Sequence, residues 1–113
     1  MEGREEAVER KSMITVYKYP LQVADEQDVV MPLDARILKA DAQGDNLCLW
    51  ALVDTEQLQT EKRHIVVAGT GRSLNRLYDP NIGRHYAFLG TAMMRGGEFV
   101  WHIFELGRQQ QNI

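Results

Sequence analysis

The residues best suited to chemistry lie in Val67-Ala68-Gly69-Thr70-Gly71-Arg72-Ser73-Leu74-Asn75-Arg76-Leu77-Tyr78-Asp79-Pro80. An apolar run enters a Gly-Thr-Gly turn, Ser73 is of the type that caps a helix, and Leu74, Leu77 and Tyr78 recur at helical spacing. Glycine turns that lead into a helix start present backbone N–H groups to a phosphate or carboxylate. Arg72, Arg76 and the later Arg84 supply paired charge, and Tyr78 offers a ring on which a ligand can stack. Gly69, Thr70, Gly71, Arg72, Arg76, Tyr78 and Arg84 are therefore the expected ligand-binding residues. The same pattern also serves as a tight turn that needs positive φ. The lysine of a P-loop and the full glycine fingerprint of a dinucleotide fold are both missing, so no nucleotide cofactor is expected.

The other reactive side chains point away from catalysis. His64, His85 and His102 stand far apart in sequence, and Cys48 has no second cysteine to complete a thiolate metal site. Cys48 sits in Leu47-Cys48-Leu49-Trp50, which reads as an inert core thiol. A hydrolase built around Cys48 or a histidine needs the fold to bring the two together. Gly90-Thr91 after Phe88-Leu89 echoes Gly69-Thr70 after Val67-Ala68, which suggests a glycine relieving a bend or bulge in each of two strands.

The net charge of −3 hides an uneven distribution. Residues 13–61 set Lys18, Arg36 and Lys39 against nine acids, a balance of −6, whereas residues 62–97 set six cations against Asp79, a balance of +5. A domain polarised in this way can hold an anion or mate with a copy of itself, unless folding mixes the two halves. With only 8% aromatic residues and no net positive charge, the chain does not read as a general nucleic-acid binder.

The elements that must position these residues are short and β-rich. Seven runs of β-branched and aromatic residues alternate with turn signals, predicting an all-β, mainly antiparallel fold: a small sandwich or partly open barrel with at most one short helix. Pro20 and Pro32 are expected to stop the first two strands. Hairpins are expected about Gln43-Gly44-Asp45-Asn46 and about Met94-Arg95-Gly96-Gly97. Leu47 to Val53 and Phe99 to Phe104 are apolar on both faces, which predicts central strands or an oligomer that covers the second face. Trp50, Trp101, Phe88, Phe99 and Phe104 are expected in the core.

The 113-residue length suits one domain, read as residues 13–106 between a disordered lead-in, 1–12, and a flexible tail, 107–113. Seven charges crowd the first twelve residues, and Met13 is itself a candidate initiator. The opening lacks a secretory pattern, and no apolar run reaches the roughly 20 residues of a membrane span. The single cysteine adds to the expectation of a reducing cytoplasm.

Tyr17-Lys18-Tyr19-Pro20-Leu21, Val30-Met31-Pro32, Leu49 to Asp54, Gly69-Thr70-Gly71, Phe88-Leu89-Gly90-Thr91 and Gly96 to Glu105 together resemble a family of small uncharacterised proteins of bacteriophages and prophages. The resemblance covers about residues 13–106 and implies a phage accessory protein in the cytoplasm of the bacterial host. It implies no activity and transfers no functional residue. The expected function is non-enzymatic binding, countering host defence by holding a host protein or sequestering a small anionic, nucleotide-like signal, with a homo-oligomer expected. The alternative is a structural or assembly component that acts through self-association.

Overall fold

A computed structural model describes residues 13–77 and 86–107, the side chain of Arg76 excepted. Seven strands occupy these residues: β1 Ile14–Leu21, β2 Glu26–Pro32, β3 Arg36–Gln43, β4 Asn46–Asp54, β5 Thr60–Gly69, β6 Tyr86–Met94 and β7 Phe99–Leu106. They form two antiparallel sheets, ordered β1-β4-β3 and β2-β5-β7-β6. The all-β expectation is correct, and the architecture is a two-sheet sandwich rather than a closed barrel.

Alternation along each strand builds the core. Leu47, Leu49, Ala51 and Val53 of β4 face Ile65 and Val67 of β5, Ile103 of β7 and Met31 of β2, and all are buried. Removing these apolar surfaces from water supplies the main drive for folding, at about 25 cal/mol per Å². Both strands with two apolar faces, β4 and β7, are central in their sheets. Pro20 and Pro32 lie within β1 and β2 rather than beyond them. Both are edge strands, where a missing N–H leaves no ladder partner unsatisfied.

The sheets approach most closely along β3 and β6. Gly90 of β6 sits against the backbone of Ala40 in β3, and the β6–β7 register shifts between Phe88 and Gly90. The bend or bulge anticipated at Gly90 is therefore real, whereas at Gly69 the β5–β7 register runs without a shift and φ is not positive. The cause at Gly90 is the meeting of the two sheets.

Two sequence expectations are corrected. The short helix after Ser73 is a single 3₁₀ turn, Asn75–Leu77, in which the Asn75 N–H donates to Ser73 Oγ at 3.3 Å. The five aromatic residues assigned to the core lie at its margins, with Phe88 59% and Phe99 40% exposed. Folding mixes the two charged halves of the sequence at two of the cations, as the alternative to a polarised domain required: Arg63 pairs with Glu105 and Glu61, and Arg72 with Asp25, while His64 lies against Glu26 and Asp28. Cys48 is buried, as expected, on the outward face of β4 between Pro20 and Asp41 in the ladder.

His64 illustrates how the two halves meet. Asp28 stands opposite it in the β2–β5 register, and Glu26 is the diagonal neighbour. Its Nδ1 lies 2.9 Å from Asp28 Oδ1 and its Nε2 2.7 Å from Glu26 Oε1. The Asp28 hydrogen bond, aided by Glu26 and opposed by partial burial, raises the imidazole pKa above 6.5. The folded state thus binds this proton more tightly than the unfolded chain does. The resulting stabilisation is complete below about pH 6.5 and is lost as the pH rises through the raised pKa. Because the ring is about a third exposed, the effect is expected to stay below about 1 kcal/mol. An NMR titration should place the His64 midpoint above 6.5, and His64→Gln should flatten the decline of Tm above that pH. A midpoint at or below 6.5 would show that the carboxylates do not hold the proton.

Candidate functional site

Four connections gather at one end of the sandwich: residues 22–25 between β1 and β2, the Gly44-Asp45 turn, the turn that follows Gly69, and the Arg95–Glu98 turn between β6 and β7. Between them lies a cleft of two lobes that share Val23 and Trp101. The larger lobe, about 340 Å³, is lined by Asp45, Met94, Arg95 and Phe99 as well. The smaller, about 210 Å³, is lined also by Ala24, Asp25, Val67, Gly69 and Arg72. The larger lobe falls within the size range of small-molecule pockets, and the lining combines apolar surface with a few charged groups, as such sites do.

An aromatic ladder forms the floor. Trp101 and Phe99 are both core-facing positions of β7, so their rings lie along the same face; they are stacked at 6.3 Å with 16° between planes. The Arg95 guanidinium stands 5.5 Å from the centre of the Phe99 ring, which places a cation at the open end of the ladder. Arg95 has φ +57°, a left-handed conformation that costs a non-glycine residue about 1 kcal/mol or more. The tight β6–β7 turn imposes it and thereby sets the arginine at the cleft. Gly69 is the register partner of Trp101, and a Cβ there would lie 3.4 Å from the indole Cζ3. Among the described residues the buried indole Nε1 has no hydrogen-bond partner.

The expected ligand-binding residues are divided by this geometry. Gly69 and Arg72 line the smaller lobe beside Trp101. Gly71 provides the positive φ of the turn, at +91°. Thr70 turns to the outward face of the β2-β5-β7-β6 sheet, where its Oγ1 lies 2.7 Å from His102 Nε2. Thr91 Oγ1 lies 3.0 Å from Nδ1 of the same ring. The Gly-Thr echo in the sequence thus places a hydroxyl on each nitrogen of one histidine. The Arg76 side chain, Tyr78 and Arg84 lie outside the described residues, as do the segments 1–12 and 108–113.

The helix-terminus part of the expected anion site is absent. A three-residue 3₁₀ turn has no useful dipole, and the Arg72 N–H is taken by the Gly69 carbonyl at 3.1 Å. Arg95, Asp45 and the Phe99–Trp101 ladder were not singled out by sequence reasoning. The available signal was the hairpin itself, since the residues flanking its turn must meet whatever other turns share that end of the sandwich.

Among the described residues no cluster of His, Cys, Asp and Glu could hold a metal ion, and no helix is long and apolar enough to cross a membrane. The fold and cleft define a small antiparallel two-sheet β domain with a charged, aromatic-floored cleft between its loops. The chain belongs to the family described as Domain of unknown function (DUF7352), whose model matches residues 13–113. No curated protein and no solved structure matches it.

Proposed function

We propose that this domain is a non-enzymatic binding module whose ligand is a small anionic molecule bearing a flat ring, of the nucleotide class, held in the end cleft. The single observation that carries this reading is the Arg95–Phe99–Trp101 ladder, with Arg72 lining the adjoining lobe that shares the indole. A ring finds a π face there and a phosphate finds a guanidinium in either lobe. On this reading the protein is a phage accessory protein of the bacterial cytoplasm that sequesters a nucleotide-like signal. The family resemblance supports the origin, and the cleft supports the ligand.

Trp50 and Trp101 are the two tryptophans, so Trp50→Phe leaves Trp101 as the sole reporter. In that background AMP or GMP is expected to quench or shift the emission and to raise Tm, because a ligand bound only to the native state stabilises it. Arg95→Gln should weaken binding by about tenfold or more, the loss of one charge-assisted hydrogen bond. A flat titration together with an unmoved Tm across a nucleotide panel would sink the reading.

A second reading is self-association, and a different face favours it. The outward positions of β6 and β7, Tyr86, Phe88, Thr91 and Met93 beside Val100, His102, Phe104 and Leu106, include no Asp, Glu, Lys or Arg. Phe88, Met93 and Tyr86 are 59%, 63% and 49% exposed, and Phe104 packs its ring against both Tyr86 and Phe88. A two-fold dimer through this face would cover it without opposing like charges. Sedimentation is expected to show a dimer that Phe88→Glu converts to the 13.0 kDa monomer. A wild-type monomer at micromolar concentration would overturn it.

A further inference from the structure

We infer that the Asp25–Arg72 ion pair is a latch on the smaller lobe, opened when the phosphate of a nucleotide takes Arg72 from Asp25. The inference rests on the cleft reading and names how the site admits its ligand. Arg72 Nη2 lies 3.3 Å from Oδ1 and 3.2 Å from Oδ2 of Asp25, so one nitrogen serves both oxygens. Among the described residues the guanidinium makes no other hydrogen bond, which leaves most of its donors free for an incoming anion.

The contrast with the other arginine pair shows why this one can exchange. Arg63 and Glu105 are sealed, at 7% and 12% side-chain exposure, whereas Arg72 and Asp25 stand at 61% and 56%. An exposed carboxylate pair adds little to stability, and a phosphate offers more charge and more acceptor oxygens to the same fork. Both partners are also fixed by their backbones. The Asp25 carbonyl accepts the Val67 N–H at 3.0 Å, and the Arg72 N–H donates to Gly69, so the side chains can part while the loops stay in place. Asp25 and Arg72 line the lobe that shares Trp101 with the larger one. A phosphate in the small lobe therefore leaves its ring beside the aromatic ladder.

The test measures affinities for AMP and GMP, and for adenosine and guanosine, by Trp101 fluorescence in the Trp50→Phe background. Asp25→Asn frees Arg72 and is expected to tighten monophosphate binding by about tenfold while leaving the nucleosides unchanged. Asp25→Ser should do the same. Arg72→Gln should remove the gain, so that the double variant Asp25→Asn/Arg72→Gln behaves as Arg72→Gln alone. Equal monophosphate affinity with and without Asp25, with binding still weakened about tenfold or more in Arg95→Gln, overturns the latch and leaves the cleft reading standing. No response to any of the four compounds in any variant, with Tm retained, overturns both.

Discussion

Gly90→Ala is expected to cost this protein a large part of its stability. A Cβ at Gly90 would stand 2.1 Å from the carbonyl oxygen of Ala40, 3.2 Å from its carbon and 3.5 Å from its nitrogen. The obstruction is backbone, and Ala40 is itself 1% exposed in the core, so no side chain can swing aside. The β3 and β6 edges must separate to admit one methyl group. The backbone at Gly90, φ +155°, is also one that residues with a Cβ rarely adopt. Overpacking of 1–3 kcal/mol or more together with backbone strain of similar size gives an expected loss of at least about 3 kcal/mol. Against a typical total of about 5–15 kcal/mol this lowers Tm by roughly 12 °C or more, or prevents folding. Gly71→Ala is the control. Its φ of +91° is equally unfavourable to alanine, but nothing lies within 4 Å of the added carbon. It should lose only the conformational part, about 1–3 kcal/mol. Calorimetry that found the two variants alike would show that the sheets yield at this corner.

Arg63→Met is expected to destabilise the fold by about 3–5 kcal/mol, the cost of breaking a buried ion pair from one side. Arg63 alternates with Ile65 and Val67 on the inner face of β5, at the end of the sandwich away from the cleft. Its Nε donates to Glu105 Oε2 at 2.5 Å, its Nη2 to Glu105 Oε1 at 3.2 Å, and its Nη1 to the Ala35 carbonyl at 2.7 Å. Glu61 lies 3.5 Å from Nη1 and accepts the N–H of Asp34, a residue held at φ +66° in the β2–β3 turn. One guanidinium thus ties β5 to β7 and to the connection between the two sheets. Methionine fills the space but leaves the Glu105 carboxylate, 12% exposed, without its cation. The double variant Arg63→Met/Glu105→Leu should recover a large part of the loss, since replacing both partners by apolar groups of similar size is often neutral. Urea unfolding of the four species of this cycle isolates the coupling. Additive losses would mean that the pair is not the source.

The chain's apolar alternation and turn chemistry determined the elements directly. Seven strands, both hairpins and the central places of β4 and β7 follow from residues near in sequence, because side-chain period and turn geometry are local properties. The two Gly-Thr pairs were legible as special positions, and the alternation Arg63, Ile65, Val67 already put a cation on the core face. The charge balance of +5 does not register this, since summed charge carries no direction.

Tertiary structure alone decided where charges and rings from distant segments meet. Asp25 reaches Arg72 and Glu26 reaches His64 because β2 lies along β5, a pairing between segments separated by two other strands in the sequence. The cleft forms because four turns of unrelated sequence share one end of the sandwich, and β-sheet register, not local pattern, sets that convergence. The need for glycine at position 90 arises in the same way. A local bend was readable from Phe88-Leu89-Gly90-Thr91, but the carbonyl that excludes a side chain belongs to Ala40, fifty residues earlier in the chain. Long-range packing of this kind depends on how two sheets twist against each other, which no single segment encodes.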